Sequence, residues 1–229
     1  MKSLIIQYGI LSAVYLSTVS PATAHELDTT FNHFIAERLE YEGNGQLHLA
    51  KWDIQNWFGN DEHKLWLKSE GDYSGDQGIF GRADLQILYS RAISPFWDFQ
   101  IGARRAFEPE RTFDAVLGFQ GLAPFFVQWD SALFITQNGN VLGRLSLSRD
   151  FLITQRLILE PRIELNLAAK DIENRAVKAG VTEFEAGLRL RYEIEREIAP
   201  YIGVDYVEEE SLRDHQHSVR YVVGVRLWY

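Results

Sequence analysis

Cysteine is absent from this 229-residue chain, and methionine occurs once, at Met1. Without cysteine there is no disulfide framework, no thiolate metal site and no thiol nucleophile. Positive charge is also short: 23 Lys and Arg stand against 32 Asp and Glu, a formal net charge of −9. That balance argues against nucleic acid as a partner, because phosphate binding needs basic patches. It is compatible with binding cations. Long apolar runs are missing as well. Mean hydropathy is −0.20, too polar for a bundle of membrane helices. Apart from the N-terminus, no segment approaches the ~20 apolar residues of a spanning helix.

The N-terminus reads as a cleaved secretory signal, residues 1–24. Lys2 supplies the positive charge, residues 4–19 are largely apolar, and Ala22-Thr23-Ala24 is a small-x-small cleavage site before His25. The rest, residues 25–229, reads as one domain.

What the chain has in place of apolar runs is alternation. Tyr221, Val223, Val225, Leu227 and Tyr229 are apolar at every second position, and the sequence stops on the aromatic. Period two is the signature of a strand with one apolar face. Leu157, Leu159, Ile163, Leu165 and Leu167 oppose Glu160, Arg162, Glu164 and Asn166. In residues 184–194, Phe184, Ala186, Leu188, Leu190, Tyr192 and Ile194 oppose Glu185, Arg189, Arg191 and Glu193. Further alternating segments carry Arg82 and Asp84, Asp98 and Arg104, and Asp130 on their polar faces, with Phe125, Val127, Trp129 and Leu133 opposite Asp130.

Turn residues separate these segments, and two kinds of break interleave. Gly59-Asn60-Asp61, Ser94-Pro95, Ala123-Pro124, residues 152–155 and Ala199-Pro200 are tight. Asn44-Gly45 and residues 74–78, 108–111 and 138–140 are more polar, and residues 171–181 and 208–217 are longer. Short turns at one end and longer loops at the other describe an up-and-down antiparallel transmembrane β-barrel of about twelve strands. Both termini then lie in the periplasm. A phase change between Leu49 and Trp52 suggests a bulge near Ala50-Lys51. Between residues 31 and 41 the inward face is open. A water-soluble sandwich or lipocalin-like can would need the opposite orientation, with charged faces outward.

In the barrel reading the lumen holds Lys64, Lys68, Glu70, Arg82, Asp84, Asp98, Arg104, Asp130, Arg144, Glu160, Arg162, Glu164, Glu185, Arg189, Arg191, Glu193, Arg220 and Arg226. Ion pairs among them would narrow or plug the channel. Their role is either to stiffen the wall or to line an ion path.

The six histidines offer metal ligands. His215 and His217 lie two apart beside Asp214 and an acidic run, and imidazole with carboxylate suits copper, zinc or nickel. His48 is a candidate for the lumen near Asp53. His25, once at the new N-terminus, would combine an amine with an imidazole. An outer-membrane phospholipase would need a lipid-facing Ser-His pair; His33 and His48 are the strand histidines, and neither has an evident serine. No catalytic residue is assigned, and the chain is expected not to be an enzyme.

Several blocks resemble the copper resistance protein B family of outer-membrane proteins. They are Lys64-Leu65-Trp66-Leu67-Lys68-Ser69-Glu70-Gly71, the run from Leu88-Tyr89-Ser90-Arg91 to Pro95-Phe96-Trp97-Asp98, and Gly118-Phe119-Gln120-Gly121-Leu122-Ala123-Pro124. Leu152-Ile153-Thr154-Gln155-Arg156 with Leu159-Glu160-Pro161-Arg162, Gly187-Leu188-Arg189-Leu190-Arg191-Tyr192-Glu193-Ile194 and Ala199-Pro200-Tyr201-Ile202-Gly203-Val204 follow in order. The resemblance implies an outer-membrane barrel in copper homeostasis. Copper is then its bound or transported ion. Its surroundings are the outer-membrane lipid, the barrel-assembly machinery through the C-terminal strand, and a periplasmic multicopper oxidase. Many members carry a Met- and His-rich segment, suited to copper(I), that this chain lacks. A small porin or structural barrel without copper specificity is the other expectation.

Overall fold

The structure, a computed structural model, describes residues 30–45, 47–173, 176–212 and 214–229. Thirteen strands follow in order: β1 (Phe31–Gly43), β2 (His48–Gly59), β3 (His63–Ser74), β4 (Ile79–Ser94), β5 (Trp97–Glu108), β6 (Thr112–Ala123), β7 (Val127–Thr136), β8 (Val141–Ser148), β9 (Phe151–Leu152), β10 (Leu157–Ala168), β11 (Gly180–Tyr192), β12 (Ile198–Glu210) and β13 (His215–Trp228). β9 is two residues long and pairs only with the start of β10. The other twelve form the wall, each antiparallel to its neighbour, with β8 passing directly to β10. β13 returns to β1, with Tyr41 opposite Val223 and Ile35 opposite Trp228. Closure leaves no strand edge among these twelve, the condition for a sheet to stand in lipid. The signal segment and His25 lie outside the described residues.

Burial is inverted relative to a water-soluble protein. Glu42, Asp114 and Asp205 are fully enclosed, whereas Ile202 is 62% exposed and Leu65 54%. On β4, Leu85, Ile87 and Tyr89 face out, and Asp84, Gln86 and Ser90 face in. The outward apolar band is bounded by aromatics. Phe58, Tyr89, Phe99, Phe119 and Tyr192 ring the end where β1 begins and β13 finishes, here the lower end; Tyr41, Tyr73, Phe80, Phe107 and Phe113 ring the upper end. Such girdles mark the two lipid–water interfaces.

Polar atoms on the outer face satisfy one another. Trp52 Nε1 donates to Ser69 Oγ at 3.2 Å, and Trp129 Nε1 to Ser131 Oγ at 3.0 Å. An indole N–H facing acyl chains has no water to bond, which accounts for two serines within apolar faces. Gly71 sits under the Trp52 ring; a Cβ there would lie 2.3 Å from the indole.

The strands depart from the sequence expectation at defined places. The bulge lies in β1, not at Ala50-Lys51: register slips between Ala36 and Arg38 against β2, and between Ala36 and Leu39 against β13. One extra residue at Glu37 turns the inward set to Arg38, Glu40 and Glu42. The apparent phase change in β2 arises because Leu49 and Lys51 both face inward with Asp53. Ala199-Pro200 is not a turn; it lies in β12, and the turn is residues 193–197. Phe125 belongs to the tight 3-10 turn Pro124–Phe126, not to a strand. Residues 208–217 are mostly paired strand, which leaves a connection of only 211–214.

Leu117 lies midway along β6 with its side chain outward, beside Ile101. Replacing it with arginine is expected to cost about 2–4 kcal/mol of unfolding free energy in phospholipid, the penalty for that charge at the bilayer midplane. Denaturant titration in liposomes measures this, and a neutral result would mean that the outer face does not meet lipid.

Candidate functional site

The inward parity of twelve strands brings charges of both signs into one enclosed space. The largest assembly forms midway along the lumen around Glu164 on β10. Its carboxylate lies 3.0 Å from Arg38 of β1 and 3.2 Å from Arg144 of β8. Arg162 at 3.6 Å and Arg82 of β4 at 3.9 Å complete a four-arginine cluster about one carboxylate. Arg144 also bonds Glu70 of β3. β3 and β8 stand on opposite sides of the wall, so this pair crosses the bore. Lys51 joins Glu42 at 2.8 Å and Glu185 at 2.9 Å.

A second knot sits on Arg189. It donates to Glu40 at 2.6 and 3.2 Å and to Asp205 at 2.9 Å through each of two nitrogens. The Tyr201 hydroxyl donates to Glu40 at 3.0 Å. Glu40, Glu42 and Asp205 bring carboxylate oxygens within 4.8 Å of one another. Each is already matched, by Arg189, by Lys51, and in the case of Glu42 also by Arg220 at 3.6 Å. A metal ion there would have to displace these cations.

Together these bridges form a belt across the lumen with a cavity on either side. The lower one, about 1150 Å³, opens at Asp61, Glu62 and Phe96; the upper one, about 640 Å³, opens at Asn44, Gln77 and His217. Eight carboxylates and five basic side chains line the lower cavity, against three of each in the upper. The lower cavity therefore carries the larger excess of carboxylates over basic groups. Its floor carries Asp53 and Glu70, directly paired across β2 and β3, with Asp84 next to Glu70 on β4.

Most of the charges picked out by alternation do lie inside. Glu70, Asp84, Glu164, Glu185, Arg189, Arg191 and Arg220 are buried, as is Arg104, which pairs with Asp114 at 2.6 Å and covers the Phe134 ring. Arg82, Asp98, Asp130, Glu160, Arg162 and Arg226 are partly buried and paired, Asp98 with Lys64 at 2.9 Å and Asp130 with Lys68 at 3.0 Å. Glu193 is the exception: β11 ends at Tyr192, and Glu193 lies in the following turn.

The histidines are not gathered. His48 faces outward at the upper rim, where its Nδ1 meets the Tyr41 hydroxyl at 2.7 Å. It shares no site with Asp53, which points into the lumen from the same strand. His215 and His217 stand on β13 opposite Glu210 and Glu208. His215 Nδ1 lies 2.6 Å from Glu210, and Nε2 lies 3.6 Å from Glu208. Hydrogen bonds from Lys178 and His215 hold the Glu210 carboxyl below the usual range.

Arg38, Glu40 and Glu42 were missed because the bulge hid the parity of β1. Their i, i+2, i+4 spacing is the signal that identifies them. Lys51 and Asp205 were missed because the inward face of their strands also carries apolar residues, Leu49 in β2 and Tyr201 and Val207 in β12, which masks the alternation. A small apolar cluster inside the lumen, Leu88, Val116 and Phe134, had no counterpart in the sequence reading.

The family described as "Copper resistance protein B precursor (CopB)" matches residues 30–229. "Copper resistance protein B" of Escherichia coli is 38% identical over 215 residues, 88% of this chain and 71% of that one. "Copper resistance protein B homolog" of Pseudomonas syringae pv. tomato (strain ATCC BAA-871 / DC3000) is 35% identical over 95% of this chain and 76% of that one. Among solved structures, the NanC porin matches with a TM-score of 0.57 at 14% identity, covering 86% of this chain and 99% of that one. That likeness concerns the fold.

The Arg189 knot has a stability consequence. Arg189→Met leaves Glu40 and Asp205 enclosed without their cation, and should lower stability by about 3–5 kcal/mol. Adding Glu40→Gln to that variant should recover part of the loss, as read by urea unfolding of the four members of the cycle.

Proposed function

Because the chain belongs to the copper resistance protein B family, we propose that it handles copper ions at the bacterial envelope, admitting them to the lower cavity and passing them along the lumen when the arginine belt opens. The barrel is an outer-membrane protein of porin-like fold. Its lower end faces the periplasm, the side on which bacterial barrels carry their shorter turns. The observation that carries the reading is the unequal lining of the lumen. A carboxylate-rich lower mouth concentrates cations, and a belt of arginines separates it from a balanced upper one.

The donor set narrows the oxidation state. Met1 is the sole methionine and cysteine is absent, so residues 25–229 offer no soft sulfur ligand. Carboxylate and imidazole suit copper(II) better than copper(I). Copper is therefore cargo that meets oxygen donors in the lumen, and exchange of the ion's oxidation state falls to a periplasmic multicopper oxidase at the lower mouth.

Reconstitution in planar bilayers tests the gate. The native barrel should show low conductance, and Arg144→Gln, which frees Glu70 and removes one cation from the belt, should raise cation conductance several-fold. Equal conductance in the two would remove the belt from the pathway. A strain lacking the chain should lose copper tolerance and regain it from a plasmid copy. Unchanged tolerance, together with a large unselective native conductance, would favour a general porin.

A further inference from the structure

The β12–β13 hairpin separates its acidic run by parity. Glu209 turns inward and bonds Arg220 at 2.9 Å, while Glu208 and Glu210 turn outward to face His217 and His215 in register. The outward face of the hairpin thus presents two imidazoles and two carboxylates as two adjacent cross-strand pairs. Side chains so paired have Cβ atoms about 4.5–5.5 Å apart; their donor atoms do not converge as those of Glu40, Glu42 and Asp205 do, so an ion would have to draw them together.

From this geometry we propose that the hairpin is a divalent-metal site, in which His215, His217, Glu208 and Glu210 hold a borderline cation, copper(II) or zinc(II). His215 already lies between the two carboxylates, 2.6 Å from Glu210 and 3.6 Å from Glu208. His217, across from Glu208, completes the set by a change of rotamer. Two nitrogens and two oxygens are a donor set that copper(II) and zinc(II) accept, and that copper(I) and calcium do not prefer. The competing cation is Lys178, 2.6 Å from Glu210. That pair is exposed, and exposed pairs hold weakly, so an incoming metal ion displaces it.

Position gives the site its use. His217 also stands at the rim of the upper cavity, so an ion held here lies at the outer mouth of the lumen. Burial does not protect the cluster, since His215 is half exposed, and exchange with solvent is correspondingly free. The site rests on the proposed copper function only for the identity of the natural ion; the holding of a divalent cation does not need it.

The test titrates the purified full-length barrel in detergent with copper(II), and separately with zinc(II), and records the electron paramagnetic resonance of the copper form. The native protein should bind an equivalent whose spectrum carries nitrogen couplings from two imidazoles. The His215→Ala, His217→Ala double variant should lose that equivalent, with heat-modified gel migration confirming that it still folds. Glu208→Gln with Glu210→Gln should weaken binding by more than the roughly 10- to 100-fold that loss of an outer hydrogen-bonding partner of a metal ligand costs. An unchanged spectrum and affinity in the histidine variant would overturn the proposal, as would a native protein that binds neither ion. If binding is lost in the variant while a deletion strain keeps its copper tolerance, the site stands and the copper function of the barrel fails.

Discussion

Charge enclosed by a closed sheet has to be neutralised from within. Lipid outside cannot solvate it, and the bore of a twelve-strand barrel is only moderately wide. An isolated buried ion carries a desolvation penalty of several kcal/mol, so each inward charge is stable only beside an opposite one. Here that condition is met for most enclosed charges, across the bore as well as along the wall; Asp53 and Glu183 instead accept amide hydrogen bonds from Gln55 and Asn166. Arg144 reaches from β8 to Glu70 on β3, and Arg38 from β1 to Glu164 on β10. The same pairs that permit the interior to be charged also hold opposite walls together and cross the bore. Stiffness and constriction share one cause.

The outward face obeys the complementary constraint. Apolar side chains meet acyl tails without penalty, so the polar groups that remain there are the ones that need explaining. They occur as matched sets at defined heights: Trp52 with Ser69, Trp129 with Ser131, His63 with Tyr89 and His48 with Tyr41. His63 and His48 stand at opposite rims, and each ring stacks on its tyrosine. His48 and His63 are thus accounted for by interfacial packing, whereas His33 turns inward at the lower end, between the rings of Trp57 and Trp228.

Strand existence and inward charge were legible because a pleated strand repeats every two residues whatever surrounds it. β4, β5, β10 and β11 alternate through their central stretches and show their faces there directly, their register shifts falling towards the strand ends. β1 does not, because the extra residue at Glu37 reverses the parity partway, and only the partner strands reveal where. Ala199-Pro200 reads as a turn by composition, yet proline is tolerated near the first residue of a strand, which is where β12 places it. The Glu208–His217 region reads as loop because both faces of a hairpin above the membrane are wet, and no apolar face announces pairing. The identity of ion-pair partners was not legible at all. Partners such as Arg38 and Glu164 are separated by 126 positions, and only closure of the sheet brings them together.

The bridges across the bore also limit how it can widen. Releasing Arg144 without replacement would strand Glu70 and one guanidinium in a low-dielectric space, although Glu164 keeps Arg38, Arg162 and Arg82, and that is costly enough to disfavour a simple break. Exchange of partners avoids that cost. Asp53, Glu70 and Asp84 lie side by side on β2, β3 and β4 at one level of the wall, so a guanidinium leaving Glu70 finds another carboxylate one strand away. An incoming divalent cation can take the vacated position and satisfy Glu70 in the arginine's place. The ion then lowers the barrier that excludes it, whereas an anion or neutral solute makes no such substitution. On the proposed copper function, selectivity comes from which solutes can replace a member of the belt, and the row of carboxylates beneath Arg144 favours cations in that exchange.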